Sequence, residues 1–261
     1  MKRVGLIGCG SIGSVLAAAL RRGRLPGRLV AVCDLRPGAA AALARRVRPV
    51  PRVTNLAGVF RAADVVVECA GGAVVPAVLR AAARHPRAVL VMSVGGLLRV
   101  PGLLVAAHRA GARVAVPSGA LAGLDALRAA GMGRLDRVTL VTRKPPASLV
   151  GAPHLRGRRA WLLGLRRPTT VFRGSAAAAV RGFPANVNVA AAASLAGIGP
   201  RRTRVTVIAE PGLKVNIHEL RIEGEFGRAV CRAENRPSPD NPRTSRLASL
   251  SALYSLRELL R

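Results

Sequence analysis

The sequence predicts an α/β protein in which a parallel sheet covered by helices is followed by a second α/β (α+β) domain with a mixed or antiparallel sheet. Three observations support this fold class. Short apolar runs alternate with Ala-rich helical segments through residues 1–117, a glycine-rich turn follows the first run, and polar and apolar residues alternate in the later runs. The first pattern is typical of β-α-β units, and the last is typical of strands with one buried face.

The first half of the chain alternates predicted strands and helices. Apolar runs that predict buried strands lie at 4–7, 29–34, 63–68, 88–93 and 113–117. Helical patterns lie between them at 14–22, 37–48, 75–84 and 100–110. Strands that alternate with helices in this way pair in parallel, because each helix carries the chain back across the sheet.

The second half has a different character. Alternating residues predict strands at 137–143, 204–209, 216–223 and 227–234, and helices are expected at 186–196 and 245–260. The basic segment 148–170 is typical of a loop with short helices, and 237–242 is typical of a turn-rich break. We therefore predict a first domain at 1–117, completed by a C-terminal helix at 243–261, and a second domain at 118–242.

The chain is strongly basic. It carries 42 Lys and Arg against 12 Asp and Glu, a formal net charge of +30, and its lysines are Lys2, Lys144 and Lys214. Arg, Ala, Gly and Pro share GC-rich codons, so codon usage also explains the arginine content. Aromatic residues make up 2% of the chain and provide no stacking platform for bases. We therefore expect non-specific polyanion binding at low salt rather than a dedicated nucleic-acid function.

The cysteines and the apolar segments indicate a cytoplasmic location. Cys9, Cys33, Cys69 and Cys231 form no CxxC pair and no cluster with zinc spacing, so no metal site is expected. Three of them lie in apolar runs, as expected for core thiols in a reducing compartment. The N-terminus has no signal-peptide pattern, and no long uncharged apolar stretch predicts a membrane span.

The glycine-rich turn predicts a dinucleotide site. Gly8-Cys9-Gly10-Ser11-Ile12-Gly13 lies between a predicted strand and a helix, and Asp34 ends the next strand. The glycines allow a tight turn and close approach of a pyrophosphate to the helix N-terminus, and the acid can bind the adenosine ribose. This context identifies residues 1–117 as a Rossmann domain. NAD is the expected cofactor, and NADP stays open because Arg36 can pair with a 2′-phosphate.

Two small-residue segments follow predicted strands of the same sheet. The segment 92–96 ends a strand at the carboxyl edge, where its backbone can line the nicotinamide side or simply form a turn. The segment 118–125 joins the parallel sheet to the second domain, and Ser118 can also cap a helix.

Among the four histidines, His218 is the best catalytic candidate. His85 and His108 lie beside arginines in predicted helices, and His154 lies in the basic loop. His218 alternates with apolar neighbours on a predicted strand, beside Asn216. A single histidine on a strand is more often structural than catalytic, so this pattern alone leaves both interpretations open.

Several segments, in this order, resemble the L-aspartate dehydrogenase family. They are Ser118-Gly119-Ala120 with Gly123-Leu124-Asp125, Thr142-Arg143-Lys144-Pro145-Pro146, Phe172-Arg173-Gly174-Ser175-Ala176, Phe183-Pro184-Ala185-Asn186-Val187-Asn188-Val189-Ala190-Ala191, Asn216-Ile217-His218-Glu219-Leu220 and Asn241-Pro242-Arg243-Thr244-Ser245. The resemblance covers essentially the whole chain. It implies an N-terminal Rossmann domain for NAD(P), a central α/β domain, and a last helix that returns to the first domain.

The resemblance also implies roles for residues. His218 matches the catalytic histidine, and Ala120 and Asn188 match positions that contact the cofactor. Thr244 and Ser245 fall in a segment expected to meet the substrate.

Lys144 and Asn216 are further substrate-binding candidates, since they lie in matching segments and carry groups that bind carboxylates. The implied reaction is oxidative deamination of L-aspartate to iminoaspartate, which hydrolyses to oxaloacetate and ammonia. A histidine takes up the proton that must leave the amine or the attacking water.

The family resemblance also bears on partners and on alternative functions. It implies hand-off of iminoaspartate to quinolinate synthase for NAD biosynthesis, and the alternating strands of the second domain suggest a homodimer. The alternatives are another Rossmann oxidoreductase acting on a semialdehyde or cyclic imine, a basic nucleic-acid-binding protein, and an NAD-sensing regulator. The segments around His218 and 241–245 favour an aspartate dehydrogenase over these.

Overall fold

The fold comes from a computed structural model that describes residues 1–184, 188–238 and 241–261, with only the backbone described at 241–244. The chain forms two compact units. Met1–Pro117 and Ser249–Arg261 make the first, and Ser118–Ala248 makes the second.

The first unit is built on a six-stranded parallel sheet with strand order β3-β2-β1-β4-β5-β6. Its elements, in chain order, are β1 (Lys2–Ile7), α1 (Ser11–Arg21), β2 (Gly27–Cys33), α2 (Ala39–Ala44), β3 (Arg52–Val53), α3 (Leu56–Ala62), β4 (Val65–Glu68), α4 (Val75–Arg84), β5 (Ala88–Val91), a 3₁₀ helix (Val94–Arg99), α5 (Pro101–Arg109) and β6 (Arg113–Ala115). This is the predicted Rossmann architecture.

The strand order of the first sheet fixes where a ligand can bind. The chain winds outward from β1 in one direction through β2 and in the other direction through β4, so the order reverses between β1 and β4. Both strands are apolar and buried over most of their length, as expected for the centre of a sheet covered on both faces. Ligands of open α/β sheets bind at the carboxyl ends of the strands beside such a reversal.

The second unit contains a mixed five-stranded sheet with order β11-β10-β7-β9-β8, in which only the β7–β9 pair is parallel. Its elements are α6 (Leu124–Ala130), β7 (Leu135–Lys144), α7 (Pro146–Leu149), a 3₁₀ helix (Pro153–Leu155), α8 (Arg159–Leu163), β8 (Thr169–Ser175), α9 (Ala176–Gly182), α10 (Asn188–Ala196), β9 (Arg204–Ala209), β10 (Asn216–Gly224), β11 (Gly227–Asn235), β12 (Pro237–Ser238) and β13 (Asn241–Ser245).

One face of the five-stranded sheet is buried, and we call it the inner face. Alternate residues of β7 and β10 point to it; they are Val138, Leu140, Thr142 and Lys144 of β7, and Asn216, His218, Leu220 and Ile222 of β10, all buried. Most of the intervening residues of both strands are half-buried or exposed and form the outer face. The inner face therefore changes from apolar to polar towards the C-terminal end of β7.

The C-terminal helix α11 (Arg246–Leu260) completes the core of the first unit. Ala252, Leu256, Leu259 and Leu260 are buried in the same apolar cluster as β1, α1 and β2. The ammonium of Lys2 donates a 3.0 Å hydrogen bond to the carbonyl oxygen of Leu259 near the helix end. The helix is thus tied to the first strand of the chain.

The structure corrects several predicted boundaries. The predicted closing helix at 243–261 is wrong at its start, because 241–245 form β13 and α11 begins at Arg246. The predicted helix at 37–48 is confined to α2, which begins after Gly38 in a left-handed conformation. The predicted break at 237–242 contains the short strand β12 and the start of β13, and these two strands form an antiparallel pair. The sequence patterns did not reveal β3 or α3.

Within the described residues, no helix is both long and apolar enough to cross a membrane.

Candidate active site

The glycine turn after β1 is packed as the sequence predicted. Gly8 has a φ of +102°, which favours glycine, and its N–H donates to the carbonyl of Cys33 at 2.7 Å. A Cβ on Gly8 would lie 2.5 Å from the backbone carbon of Cys69, and a Cβ on Gly13 would overlap the carbonyl oxygen of Gly8. The first and last glycines therefore allow the turn and helix α1 to pack closely on β1 and the start of the β4–α4 loop.

Gly10 stands in a different environment. The atom nearest to a Cβ built on it is a guanidinium nitrogen of Arg36, 3.9 Å away, so the space beside Gly10 is open. Gly10 is the N-cap of α1, and no side chain caps this helix. The hydroxyl of Ser11, the first residue of α1, is buried without a hydrogen-bond partner among the described residues.

These features fit a dinucleotide. An open cradle at Gly10, the uncapped N-terminus of α1 and the unpartnered hydroxyl of Ser11 together offer N–H and O–H donors to a pyrophosphate. Ile12 is the next residue of the same turn and is half-buried. No acidic side chain lies in the first turn of α1 to oppose an anion.

Asp34 follows β2 and is held by its neighbours. It accepts a hydrogen bond from the Cys9 N–H at 2.6 Å, and it forms an ion pair with Arg36 at 3.0 Å. The hydrogen bond from the Arg36 side chain is the main reason that the pKa of Asp34 falls to about 2. A carboxylate and an exposed guanidinium therefore stand together where an adenosine ribose is expected, and either can take part in binding it.

A buried carboxylate that sequence reasoning did not single out organises the adjacent loops. Glu68 ends β4 and is fully buried. It accepts hydrogen bonds from the N–H groups of Ala70, Gly71 and Ser93, and from the Ser93 hydroxyl, at 2.8–3.0 Å. Burial raises its pKa, and these bonds oppose that rise. Glu68 thus joins the loop after β4 to the segment 92–96 at the carboxyl edge of the sheet.

The polar end of the inner face gathers a lysine, a threonine and a histidine. His218 and Thr142 are paired across β10 and β7, and the Thr142 hydroxyl lies 3.1 Å from Nδ1 of His218. Lys144 lies two residues further along β7 on the same face. His218 and Lys144 are 3% and 5% exposed, which is unusual for groups that can carry charge.

Burial changes the acid–base properties of both groups. The pKa of Lys144 falls from 10.5 to about 8 because burial penalises its ammonium form. The pKa of His218 falls from 6.5 to about 3 through burial and, secondly, through the positive charge of Lys144. His218 is therefore a neutral imidazole over the whole physiological range.

Two asparagines extend this polar group. Asn216 begins β10, and its amide nitrogen makes a long 3.5 Å hydrogen bond to the Ser245 hydroxyl, while its buried amide oxygen has no partner among the described residues. Asn235 pairs with Asn216 across β10 and β11 and donates to the carbonyl of Ala120 at 3.1 Å. Ala120, Lys144, Asn216, His218 and Ser245 are thus all buried near this end of the unit.

The other predicted residues lie outside this buried group. Asn188 is exposed at the first residue of α10, and the side chain of Thr244 falls outside the described part of the chain. His154 packs against Phe172 and Phe183, with ring centroids 5.2 and 5.4 Å apart, which gives it a structural role. Sequence reasoning had missed Thr142 and Asn235 as members of the site.

The chemistry available in the buried group follows from its members. Lys144 can bind an anionic substrate group, and the Asn216 oxygen, which has no partner in the described part of the chain, can accept a hydrogen bond from an amine or ammonium group. His218 can accept a proton without first having to lose one. Together these groups suit an anionic substrate that must give up a proton.

Comparisons with known families cover both units. Residues 125–259 match the family model described as aspartate dehydrogenase, C-terminal. Residues 8–117 match the model described as homoserine dehydrogenase, NAD binding domain. The first unit is therefore an NAD-binding Rossmann domain, in agreement with its glycine turn.

Similar proteins match along the whole chain. An L-aspartate dehydrogenase of Methanosarcina mazei is 42% identical over 265 residues, covering 100% of this chain and 97% of that protein. L-aspartate dehydrogenase 3 of Bordetella bronchiseptica is 43% identical over 258 residues, covering 98% and 94%. The crystal structure of an aspartate dehydrogenase from Thermotoga maritima superposes with a TM-score of 0.73 at 26% identity, covering 100% of this chain and 96% of that one.

Proposed function

This chain belongs to the aspartate dehydrogenase family, and we propose that it catalyses the NAD-dependent oxidative deamination of L-aspartate. L-Aspartate, NAD⁺ and water give oxaloacetate, ammonium, NADH and a proton, with iminoaspartate as the intermediate. The observation that carries this proposal is the buried group of His218, Lys144 and Asn216 on the inner face. The family match and this group support the same chemistry from independent directions.

His218 is proposed as the proton acceptor. Its imidazole is neutral in the free protein, so it can take a proton from the α-ammonium group, which must become a neutral amine before hydride leaves Cα. Once His218 has released that proton to solvent, the same nitrogen can take a proton from the water that adds to the imine. NAD, when bound, supplies the acceptor for the hydride.

Lys144 is proposed to bind a carboxylate of the substrate. A carboxylate beside Lys144 offsets the positive charge that lowers the pKa of His218. Substrate binding therefore makes His218 a stronger base than it is in the free protein. Asn216, Ser245 and Thr244 are proposed to complete the substrate site. The family resemblance supports this, as does the buried amide oxygen of Asn216, which has no hydrogen-bond partner among the described residues.

The cofactor site is proposed to lie at Gly8, Gly10, Ser11, Ile12, Gly13 and Asp34. Ala120 and Asn188 are proposed as further cofactor contacts on the strength of the family resemblance. NAD is the cofactor, and use of NADP as well is supported by the exposed guanidinium of Arg36 beside Asp34.

A division of labour between domains is proposed along the predicted boundaries. Residues 1–117 with the C-terminal helix carry the glycine turn and Asp34 of the cofactor site. Residues 118–242 carry Lys144, Asn216 and His218 of the substrate site and the dimer contacts, and Ser245 follows this boundary in β13. The outer face supports the homodimer proposal, because Val230 is exposed on it among charged side chains. A monomeric mass by light scattering at micromolar concentration would dismiss the dimer.

The cellular setting is proposed from composition and chemistry. The four cysteines are free, which supports the cytoplasm. Iminoaspartate hydrolyses in water, so direct hand-off to quinolinate synthase would preserve it for NAD biosynthesis. The net charge of +30 supports non-specific polyanion binding at low salt.

The first test is an assay for reduced cofactor with purified protein, L-aspartate and NAD⁺ at alkaline pH. Turnover with L-aspartate, and little with L-glutamate or L-alanine, is expected. His218→Asn should abolish turnover while keeping NADH binding, and His108→Asn should change neither, because His108 is exposed on α5. Tight NADH binding without turnover of aspartate would refute the proposed substrate.

The second test concerns the substrate carboxylate. Below a pH of about 8, where Lys144 carries its charge, Lys144→Met should raise the KM for L-aspartate by about tenfold or more, since it removes the buried cation. Lys214→Met is the matched control, because Lys214 is an exposed lysine of the same unit. An unchanged KM in Lys144→Met would remove Lys144 from the substrate site.

A further inference from the structure

The ring nitrogens of His218 are not equivalent in the folded protein. Nδ1 faces the Thr142 hydroxyl at 3.1 Å, and both side chains are buried. Thr142 is fully buried on β7, directly opposite His218 in the strand register. The contact is therefore held by two paired strands rather than by a mobile loop.

A neutral imidazole carries one N–H and one lone pair, and the partner of one nitrogen decides which is which. If Thr142 accepts a hydrogen bond from Nδ1–H, then Nε2 keeps its lone pair and can act as a base. If the Thr142 hydroxyl donates to Nδ1 instead, then Nε2 carries the hydrogen and cannot accept a proton.

We propose that Thr142 is a positioning residue that accepts a hydrogen bond from Nδ1–H of His218 and so leaves the Nε2 lone pair for the proton transfer. This inference rests on the proposed function for the choice between the two tautomers, and on the paired-strand geometry for the identity of the partner. Thr142 acts through His218 and does not itself touch the substrate.

The groups facing His218 agree with this assignment. Burial and, secondly, the positive charge of Lys144 keep the imidazole neutral in the free protein, which is the state in which the choice between Nδ1–H and Nε2–H matters. On the other neighbouring strand, β11, the residue paired with His218 is Ala233, which has no polar side chain. Of the two residues paired directly with His218, Thr142 is therefore the one whose side chain can select a neutral tautomer.

The kinetic test compares Thr142→Val with Thr142→Ser. Valine keeps the branched shape that suits a strand and removes the hydroxyl, whereas serine keeps the hydroxyl. Thr142→Val should lower kcat by roughly 10- to 100-fold, taking as a guide the loss caused by removing the hydrogen-bond partner of a metal-bound histidine, with KM for L-aspartate nearly unchanged. Thr142→Ser should recover most of kcat. Far-UV circular dichroism checks that both variants fold.

A second readout needs no turnover. In protein labelled with ¹⁵N-histidine, the His218 ring is assigned by its loss in His218→Asn, and its nitrogen shifts report which nitrogen carries hydrogen. The expected result is Nδ1–H in the native protein and in Thr142→Ser, with that preference lost in Thr142→Val. Nε2–H in the native protein, or an unchanged tautomer and kcat in Thr142→Val, would overturn the proposal.

The two readouts separate this inference from the proposed function. If the protein fails to oxidise L-aspartate but shows Nδ1–H that depends on Thr142, the substrate is wrong and the positioning role stands. If the protein oxidises L-aspartate but shows Nε2–H, the function stands and the positioning role is wrong.

Discussion

Substitutions at two glycines of the turn should have separate effects, one on folding stability and the other on cofactor binding. Gly10 and Gly13 belong to the same motif, yet a methyl group meets different surroundings at each position. At Gly10 the nearest atom is 3.9 Å away, whereas at Gly13 the methyl would overlap the Gly8 carbonyl oxygen and lie 3.2 Å from its carbon. Gly10→Ala should therefore fold normally and bind cofactor poorly, and Gly13→Ala should lose stability.

The magnitudes follow from these contacts. Overpacking at Gly13 costs about 1–3 kcal/mol, offset by up to about 1 kcal/mol of helix propensity because Gly13 lies inside α1. The overlap is with a backbone atom, so the cost lies near the upper end and leaves about 2 kcal/mol; at roughly 2–4 °C per kcal/mol for a chain of this class, Tm should fall by about 4–8 °C. Gly10 has φ −79° and ψ −157°, which alanine adopts without strain, so the cost there is about 1 kcal/mol or less. Its methyl fills the space needed by the pyrophosphate, and Kd for NADH should rise at least about tenfold.

Differential scanning fluorimetry measures Tm, and quenching or enhancement of NADH fluorescence measures Kd. Gly102→Ala is the matched control, because this helical glycine of α5 has no atom within 4 Å of its Cβ position. Native NADH affinity in Gly10→Ala would refute the reasoning, since the pyrophosphate would then not approach Gly10. A Tm for Gly13→Ala equal to that of the native protein would show that the turn adjusts to the added methyl group without losing stability.

Further predictions concern charge and packing. In Lys144→Met the pKa of His218 should rise above about 3 but stay below 6.5, because burial, the larger cause, remains after the repelling charge is gone, and the acid limb of the rate profile should move to higher pH. In the native protein the pKa of His218 lies below its value in the unfolded chain, so the stability linked to His218 is complete above pH 6.5 and is lost as pH falls towards 3. In His218→Asn the free energy of unfolding, measured with urea, should therefore depend less on pH between 6.5 and 3. Arg36→Ala should weaken NADP⁺ binding more than NAD⁺ binding, measured as two Kd values, and equal losses would argue against a 2′-phosphate contact. Leu256→Ala should lower stability by about 2–5 kcal/mol because Leu256 is fully buried in α11, whereas Leu250→Ala, at 50% exposure, should cost under about 0.5 kcal/mol; equal effects in thermal melts would contradict the packing of α11.

The fold of the first unit could be predicted from the sequence because its helices and strands have strong periodic patterns. β1 and β4 are short apolar runs between turns, and α1 and α4 have continuous Ala-rich patterns. β3 was missed because a strand of two exposed residues has no detectable period. The start of α11 was placed too early because residues 243–245 carry no signal that distinguishes a strand from a first helical turn.

Only part of the candidate site could be predicted from the sequence, for a different reason. His218 and Lys144 stand out as rare residue types in suggestive segments, but Thr142 is an ordinary strand residue until the β7–β10 register places it opposite His218. Asn235 likewise is recognised as part of the site only from the structure, in which β11 pairs it with Asn216 and it donates a hydrogen bond to the Ala120 carbonyl. These are contacts between residues far apart in sequence, and no local pattern encodes them.

The apolar part of the inner face explains why its polar end has unusual chemistry. Leu140 and Leu220 pair across β7 and β10 and are fully buried next to the Thr142–His218 pair. Such surroundings exclude water, and the charge of Lys144 therefore acts on His218 more strongly than it would in water. The same lysine and histidine on the outer face would keep ordinary acid–base behaviour. The packing that stabilises this sheet is therefore also the cause of the lowered pKa values of His218 and Lys144.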